Sequence, residues 1–182
     1  MKIYMFLADG FQETEAIAPL TIIRRTPIEL CTVSISDNLF VKSSEGVTVK
    51  ADCLFSECDF GDADMLVMPG GMPGSSNLRD FKPLQQVVLA HHANGKPLAA
   101  ICAAPMVYGN LGLLDGVTAT CYPGCDASLG KANVTRNLTE VDGLFITGKG
   151  PGAAIHFGFA IVEYLLGKAA ADEVKAGMMW PW

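Results

Sequence analysis

Short apolar runs at residues 2–8, 28–35, 65–68, 97–101 and 144–147 alternate with segments of helical spacing. This alternation restricts the fold more than any other feature of the chain. In residues 13–25, Ala16, Ile17, Leu20 and Ile23 share one helical face. In residues 83–94, Leu84, Val87, Val88 and His91 do the same. Further helices are expected from 103 to about 110, from about 152 to 166 and near 169–176, and a further strand at 117–121. Residues 40–42 and 47–50 flank Ser43-Ser44-Glu45-Gly46 and read as a hairpin. Strands separated by helices imply an α/β sandwich, a mostly parallel sheet covered on both faces. No repeat or linker interrupts the 182 residues, so a single domain over 1–182 is expected.

Ligands of such sheets bind at the carboxyl ends of the strands. Asp9-Gly10, Pro69-Gly70-Gly71, Cys102 and Gly148 all fall at such ends, so four segments should converge on one rim. The run Pro97-Leu98-Ala99-Ala100-Ile101 ends on Cys102, followed by Ala103-Ala104-Pro105. A strand, a cysteine and then small residues opening a helix make a nucleophile elbow. Free N–H groups and the helix dipole beside the sulfur favour a thiolate, ionised at neutral pH. A free cysteine in an apolar run also fits a plain core residue.

Half of the residues are hydrophobic and 18% are charged, as in a globular protein, and the net charge is −6. The acidic balance argues against nucleic acid as a partner. No apolar run approaches the ~20 residues of a membrane span. Asp9 ends the first apolar run where a signal-peptide cleavage region would have to follow, so a cytoplasmic location is expected. The six cysteines lie in apolar contexts without C-x-x-C spacing, which favours reduced thiols. Cys121 and Cys125 have no matching Cys/His pair, so no metal is expected. His91 reads as a core or boundary residue and His92 as solvent-facing. His156 begins the second turn of the long helix, within reach of the rim or of a partner.

Asp9-Gly10-Phe11-Gln12-Glu13-Thr14-Glu15, Met68-Pro69-Gly70-Gly71, Ala100-Ile101-Cys102-Ala103-Ala104-Pro105 and Gly148-Lys149-Gly150-Pro151-Gly152 together resemble the DJ-1/PfpI superfamily, its DJ-1 branch above all. The likeness runs in order through nearly the whole chain. It implies a flavodoxin-like sandwich and usually a homodimer. It also implies that Glu15, on the first helix, meets Cys102. A carboxyl beside a thiolate is pushed toward its protonated form and can then donate to sulfur or move a proton. Taken alone, Glu15 reads as a solvated acid in a helix first turn. The likeness assigns the N–H groups of Gly70, Gly71 and Ala103 to an anion or oxyanion pocket. Gly150-Pro151-Gly152 reads as a helix start.

The chain departs from the family where a histidine commonly follows the elbow, because Tyr122 stands there. A neutral phenol cannot replace imidazole as a base near pH 7, although it can donate a hydrogen bond. The family's arginine near the dimer pocket is replaced by Glu45, leaving Arg25 as a candidate anion contact. Cys121 is a candidate resolving thiol or a buried strand residue. Two functions fit these residues. One is a cofactor-free enzyme of glyoxalase or deglycase type acting on small carbonyl compounds, with Cys102 as nucleophile and Glu15 as proton carrier. The other is a redox sensor or stress-protective binding protein that uses oxidation of Cys102. An intracellular cysteine peptidase fits less well without a Cys-His pair.

Overall fold

The computed structural model describes residues 1–181. Its strands and helices follow in the order β1 (Lys2–Leu7), α1 (Glu13–Ile23), β2 (Glu29–Ser34), β3 (Phe40–Lys42), β4 (Thr48–Lys50), β5 (Cys53–Leu54), β6 (Met65–Met68), α2 (Gly74–Asp80), α3 (Lys82–Ala93), β7 (Leu98–Ile101), α4 (Pro105–Asn110), β8 (Thr118–Thr120), β9 (Asn133–Thr135), β10 (Thr139–Asp142), β11 (Phe145–Gly148), α5 (Ala154–Leu166) and α6 (Lys168–Gly177). Seven strands form the central sheet in the order β10-β11-β7-β6-β1-β2-β5. All neighbours in it pair in parallel except β10, which runs antiparallel to β11.

Every position of β6 and β7 is buried, because helices cover both faces of the sheet. One group of helices is α1, α5 and α6; the other is α2, α3 and α4. The order in which strands are added to the sheet reverses between β1 and β6, the place where flavodoxin-like sheets open a crevice for ligands. The loops after β1 and β6 meet there. The N–H of Gln12 donates to the Gly70 carbonyl at 2.8 Å, and the N–H of Gly74 to the Gly10 carbonyl at 3.2 Å.

The strand expected at 117–121 forms, shortened, outside the central sheet. It pairs in parallel with β9 instead. The free edge of β11 is already taken by β10, so β8 is tied on by side chains. The Thr118 N–H donates to Asp142 Oδ2 at 2.7 Å and the Thr120 N–H to Thr147 Oγ1 at 2.9 Å. The helix expected from 103 starts at Pro105, and the long helix expected from 152 starts at Ala154. In the second case a single 3₁₀ turn, Pro151–Ala153, occupies the first residues. The α2 helix and the short strands β5, β9 and β10 carry no apolar period long enough to read.

Candidate active site

Cys102 stands at the end of β7 with φ of +65°, a left-handed conformation that costs a residue with a Cβ ~1–2 kcal/mol. Three backbone hydrogen bonds hold it there. The Cys102 N–H donates to Gly148 O at 2.8 Å, the Tyr122 N–H to Cys102 O at 2.9 Å, and the Ala104 N–H to Ile101 O at 3.0 Å. Small side chains at Ala103 and Ala104 let the chain turn, and Pro105 opens α4 where a missing N–H leaves nothing unpaired. The elbow read from the sequence is therefore present, with the backbone pinned and the sulfur left for chemistry.

Glu15 lies in the first turn of α1 and is fully buried. The solvated reading of this residue is thus overturned. Gln12 caps the helix, its Oε1 accepting the Glu15 N–H at 3.0 Å. Glu15 Oε2 accepts the Gly70 N–H at 2.9 Å. A Cβ placed on Gly70 would lie 2.5 Å from Glu15 Oε2 and 2.6 Å from Cys102 Cβ. The carboxyl and the cysteine therefore share one small space, which only a glycine leaves open. Gly71 has φ of +91°, and a Cβ there would meet the Gln12 nitrogen at 2.3 Å.

Burial pushes the Glu15 carboxyl up to about 7, against opposing hydrogen bonds from the Cys102 thiol and the Gly70 N–H. Burial also pushes the Cys102 thiol up, and an ionised Glu15 pushes it further. Hydrogen bonds from the Gly71 and Ala103 N–H groups pull it down. The elbow and dipole alone led to an expectation of a thiolate at neutral pH. Desolvation and the neighbouring carboxylate oppose that, and neither is visible in a local motif. Glu15 therefore gives up its proton before Cys102 does, and its carboxylate then opposes ionisation of the sulfur beside it.

The structure divides the expected anion pocket. The Gly71 and Ala103 N–H groups face the sulfur, whereas the Gly70 N–H is committed to Glu15. Tyr122 is half exposed at the rim. Its ring lies over Gly150, and both line a cavity of about 370 Å³ with Leu138 and Lys149. Cys121 is fully buried and its thiol is pushed by burial up to about 11, a poor resolving nucleophile. Arg25 does not belong to the site. It follows the far end of α1, ~15 Å along the helix from Glu15, in a groove with Leu166 and Glu173. Glu45 is exposed in the β3–β4 turn.

His91 is a core residue whose Nε2 lies 3.0 Å from Pro97 O, and burial lowers it to about 4. His92 is half-buried against the Phe145 ring, not solvent-facing. His156 packs edge-on against Trp180. The sequence reading gave no role to Gln12, the cap that sets the start of α1, because glutamine is not among the favoured N-caps.

The family model described as DJ-1/PfpI matches residues 1–164. Protein DJ-1 homolog B of Arabidopsis thaliana is 34% identical over 180 residues, covering 98% of this chain and 41% of the plant protein. The chain thus spans about two fifths of that relative's length. A protein of Pyrococcus abyssi named deglycase is 29% identical over 154 residues, covering 84% of this chain and 92% of its own. Among solved structures, oxidized DJ-1 of Toxoplasma gondii superposes with a TM-score of 0.95 at 33% identity, covering 100% of this chain and 99% of that one.

Proposed function

The chain belongs to the DJ-1/PfpI family, and from that premise we propose that it converts small reactive carbonyl compounds of the 2-oxoaldehyde class by covalent catalysis. Cys102 is the nucleophile and Glu15 the proton carrier. The observation that carries this reading is the shared space of Glu15 and Cys102 beside Gly70. The name of the archaeal relative, deglycase, supports the same class of substrate.

The Glu15 carboxylate takes the Cys102 thiol proton as the sulfur adds to the aldehyde carbon. The C=O π pair moves to oxygen, which takes the Glu15 proton to give a hemithioacetal. The Glu15 carboxylate then moves the proton from the carbon bearing sulfur to the neighbouring carbon, while the hemithioacetal hydroxyl proton passes to the neighbouring oxygen, leaving a thioester of a 2-hydroxy acid. Water cleaves the thioester, releases the acid and restores the thiol. Before attack, the Gly71 and Ala103 N–H groups stabilise negative charge on sulfur. Cys102 is only 7% exposed, which restricts access to small substrates. Glu15 carries the thiol and carbon protons in the sequence, so no cofactor is required. Methylglyoxal turnover should be lost in Cys102→Ser while the variant stays folded. Turnover that persists in this variant would refute the reading.

We also propose that the chain works as a homodimer through α1. A groove of about 430 Å³ there is lined by Ile17, Ala18, Val47, Ile155 and Met178, and Ile17 and Val47 are exposed. Sedimentation at micromolar concentration should show a species of twice the 19.3 kDa chain. A monomer alone would refute this assembly.

A further inference from the structure

Cys31, Cys53 and Cys58 form a second group of thiols, at the edge of the sheet on β2, β5 and the turn that follows. All three are free and half-buried. The sulfurs of Cys31 and Cys53 are 3.3 Å apart and those of Cys53 and Cys58 are 2.7 Å apart. Among the described residues, no group of three or more His, Cys, Asp or Glu is arranged to hold a metal ion. The three therefore meet as thiols.

The two contacts differ in kind. Val33 is the partner of Cys53 in the β2–β5 ladder, so Cys31 stands diagonally opposite Cys53. Diagonal positions place Cα atoms about 7–8 Å apart, at or beyond the reach of a disulfide. Cys58 instead closes the single 3₁₀ turn Phe55–Glu57, its N–H donating to Phe55 O at 3.3 Å, and so folds back onto Cys53. Phe55 fixes this turn by packing on Phe60 and Phe81, with ring centroids at 4.8 and 5.0 Å. Cys58 also lines a cavity of about 300 Å³ with Phe60, His91 and Lys96. Cys53 does not line it.

We propose that Cys53 and Cys58 are a modification site: a dithiol that a hydroperoxide, entering by this cavity, converts reversibly to a disulfide. The Cys58 sulfur attacks the peroxide, the O–O bond breaks, and sulfur becomes a sulfenic acid as the peroxide is reduced. The Cys53 sulfur then attacks the sulfenic sulfur. The S–O bond breaks, the S–S bond forms, and hydroxide leaves as water with the Cys53 proton. With hydrogen peroxide, two thiols and one peroxide give one disulfide and two waters. The site is separate from Cys102 and does not depend on its reaction.

Trypsin leaves Cys53 and Cys58 on one peptide, Ala51–Arg79, with no other cysteine; Cys31 and Cys102 fall on other peptides. The full chain treated with hydrogen peroxide, then alkylated and digested, should give this peptide lighter by two hydrogens and unalkylated. Dithiothreitol before alkylation should restore two alkylated cysteines, and Cys31→Ser should leave the bridge unchanged. Two alkylated cysteines after peroxide, a link to the Cys31 peptide, or loss of the bridge in Cys31→Ser would each overturn the proposal.

Discussion

Gly70→Ala is expected to lower methylglyoxal turnover by at least ~10²-fold, the scale on which misplacing a reacting group by about 1 Å acts. The methyl group would enter the space shared by the reacting pair, 2.5 Å from Glu15 Oε2, 2.6 Å from Cys102 Cβ and 2.8 Å from Ile101 O. The last two neighbours are backbone or backbone-bound, so the carboxyl is the group that must give way. It would then leave the Gly70 N–H and the sulfur together. Overpacking of this kind also destabilises by ~1–3 kcal/mol, so activity should be compared below the unfolding transition of the variant. A Gly70→Ala protein with normal turnover and normal Cys102 alkylation would show that the pair does not need the geometry described.

Glu15→Gln separates proton transfer from hydrogen bonding. An amide can still accept from the Gly70 N–H and donate to sulfur but cannot carry a proton. Cys102 should therefore stay open to alkylation while turnover falls by at least ~10²-fold, the lower end for general acid–base catalysis. Stability should move the other way. Burial raises the Glu15 carboxyl from its ordinary 4.5 to about 7. A raised carboxyl contributes stability that is complete below its unfolded value and is lost as pH rises through its folded value. At pH 8 the wild type thus holds a buried carboxylate that Gln removes, and the variant should be more stable by ~3 kcal/mol. Below pH 4.5 the difference should vanish. Denaturant titrations at the two pH values check this, and equal stability at both would contradict the buried, raised carboxyl.

The elements legible in the sequence are those whose signal is periodic and long. The strands at 65–68 and 97–101, the helices at 13–25 and 83–94, and the convergence of Gly10, Gly70, Cys102 and Gly148 on one rim all follow from apolar spacing and its punctuation. The antiparallel β10 is hidden in the sequence because three of its four residues are half-buried and its one apolar residue, Val141, is exposed, and its pairing excludes β8 from the sheet. At the site, the elbow is local and could be read directly. The burial of Glu15 is not local. It depends on Gly70, 55 residues away, and without the family resemblance a glutamate in a helix first turn looks solvated. Arg25 was misplaced for the converse reason. A charged residue near a motif in sequence is carried by the length of α1 to the opposite end of the helix.

The most direct test of the paired site is the rate of Cys102 alkylation by iodoacetamide as a function of pH, with the modified cysteine located by tandem mass spectrometry. With burial and the Glu15 carboxylate both opposing ionisation of the sulfur, the wild-type midpoint should lie above ~8.5, the ordinary thiol value, and Glu15→Gln, which removes that charge, should lower it. A wild-type midpoint at or below ~8.5, or one that Glu15→Gln leaves unmoved, would mean that the sulfur titrates without its neighbour and would contradict the paired site.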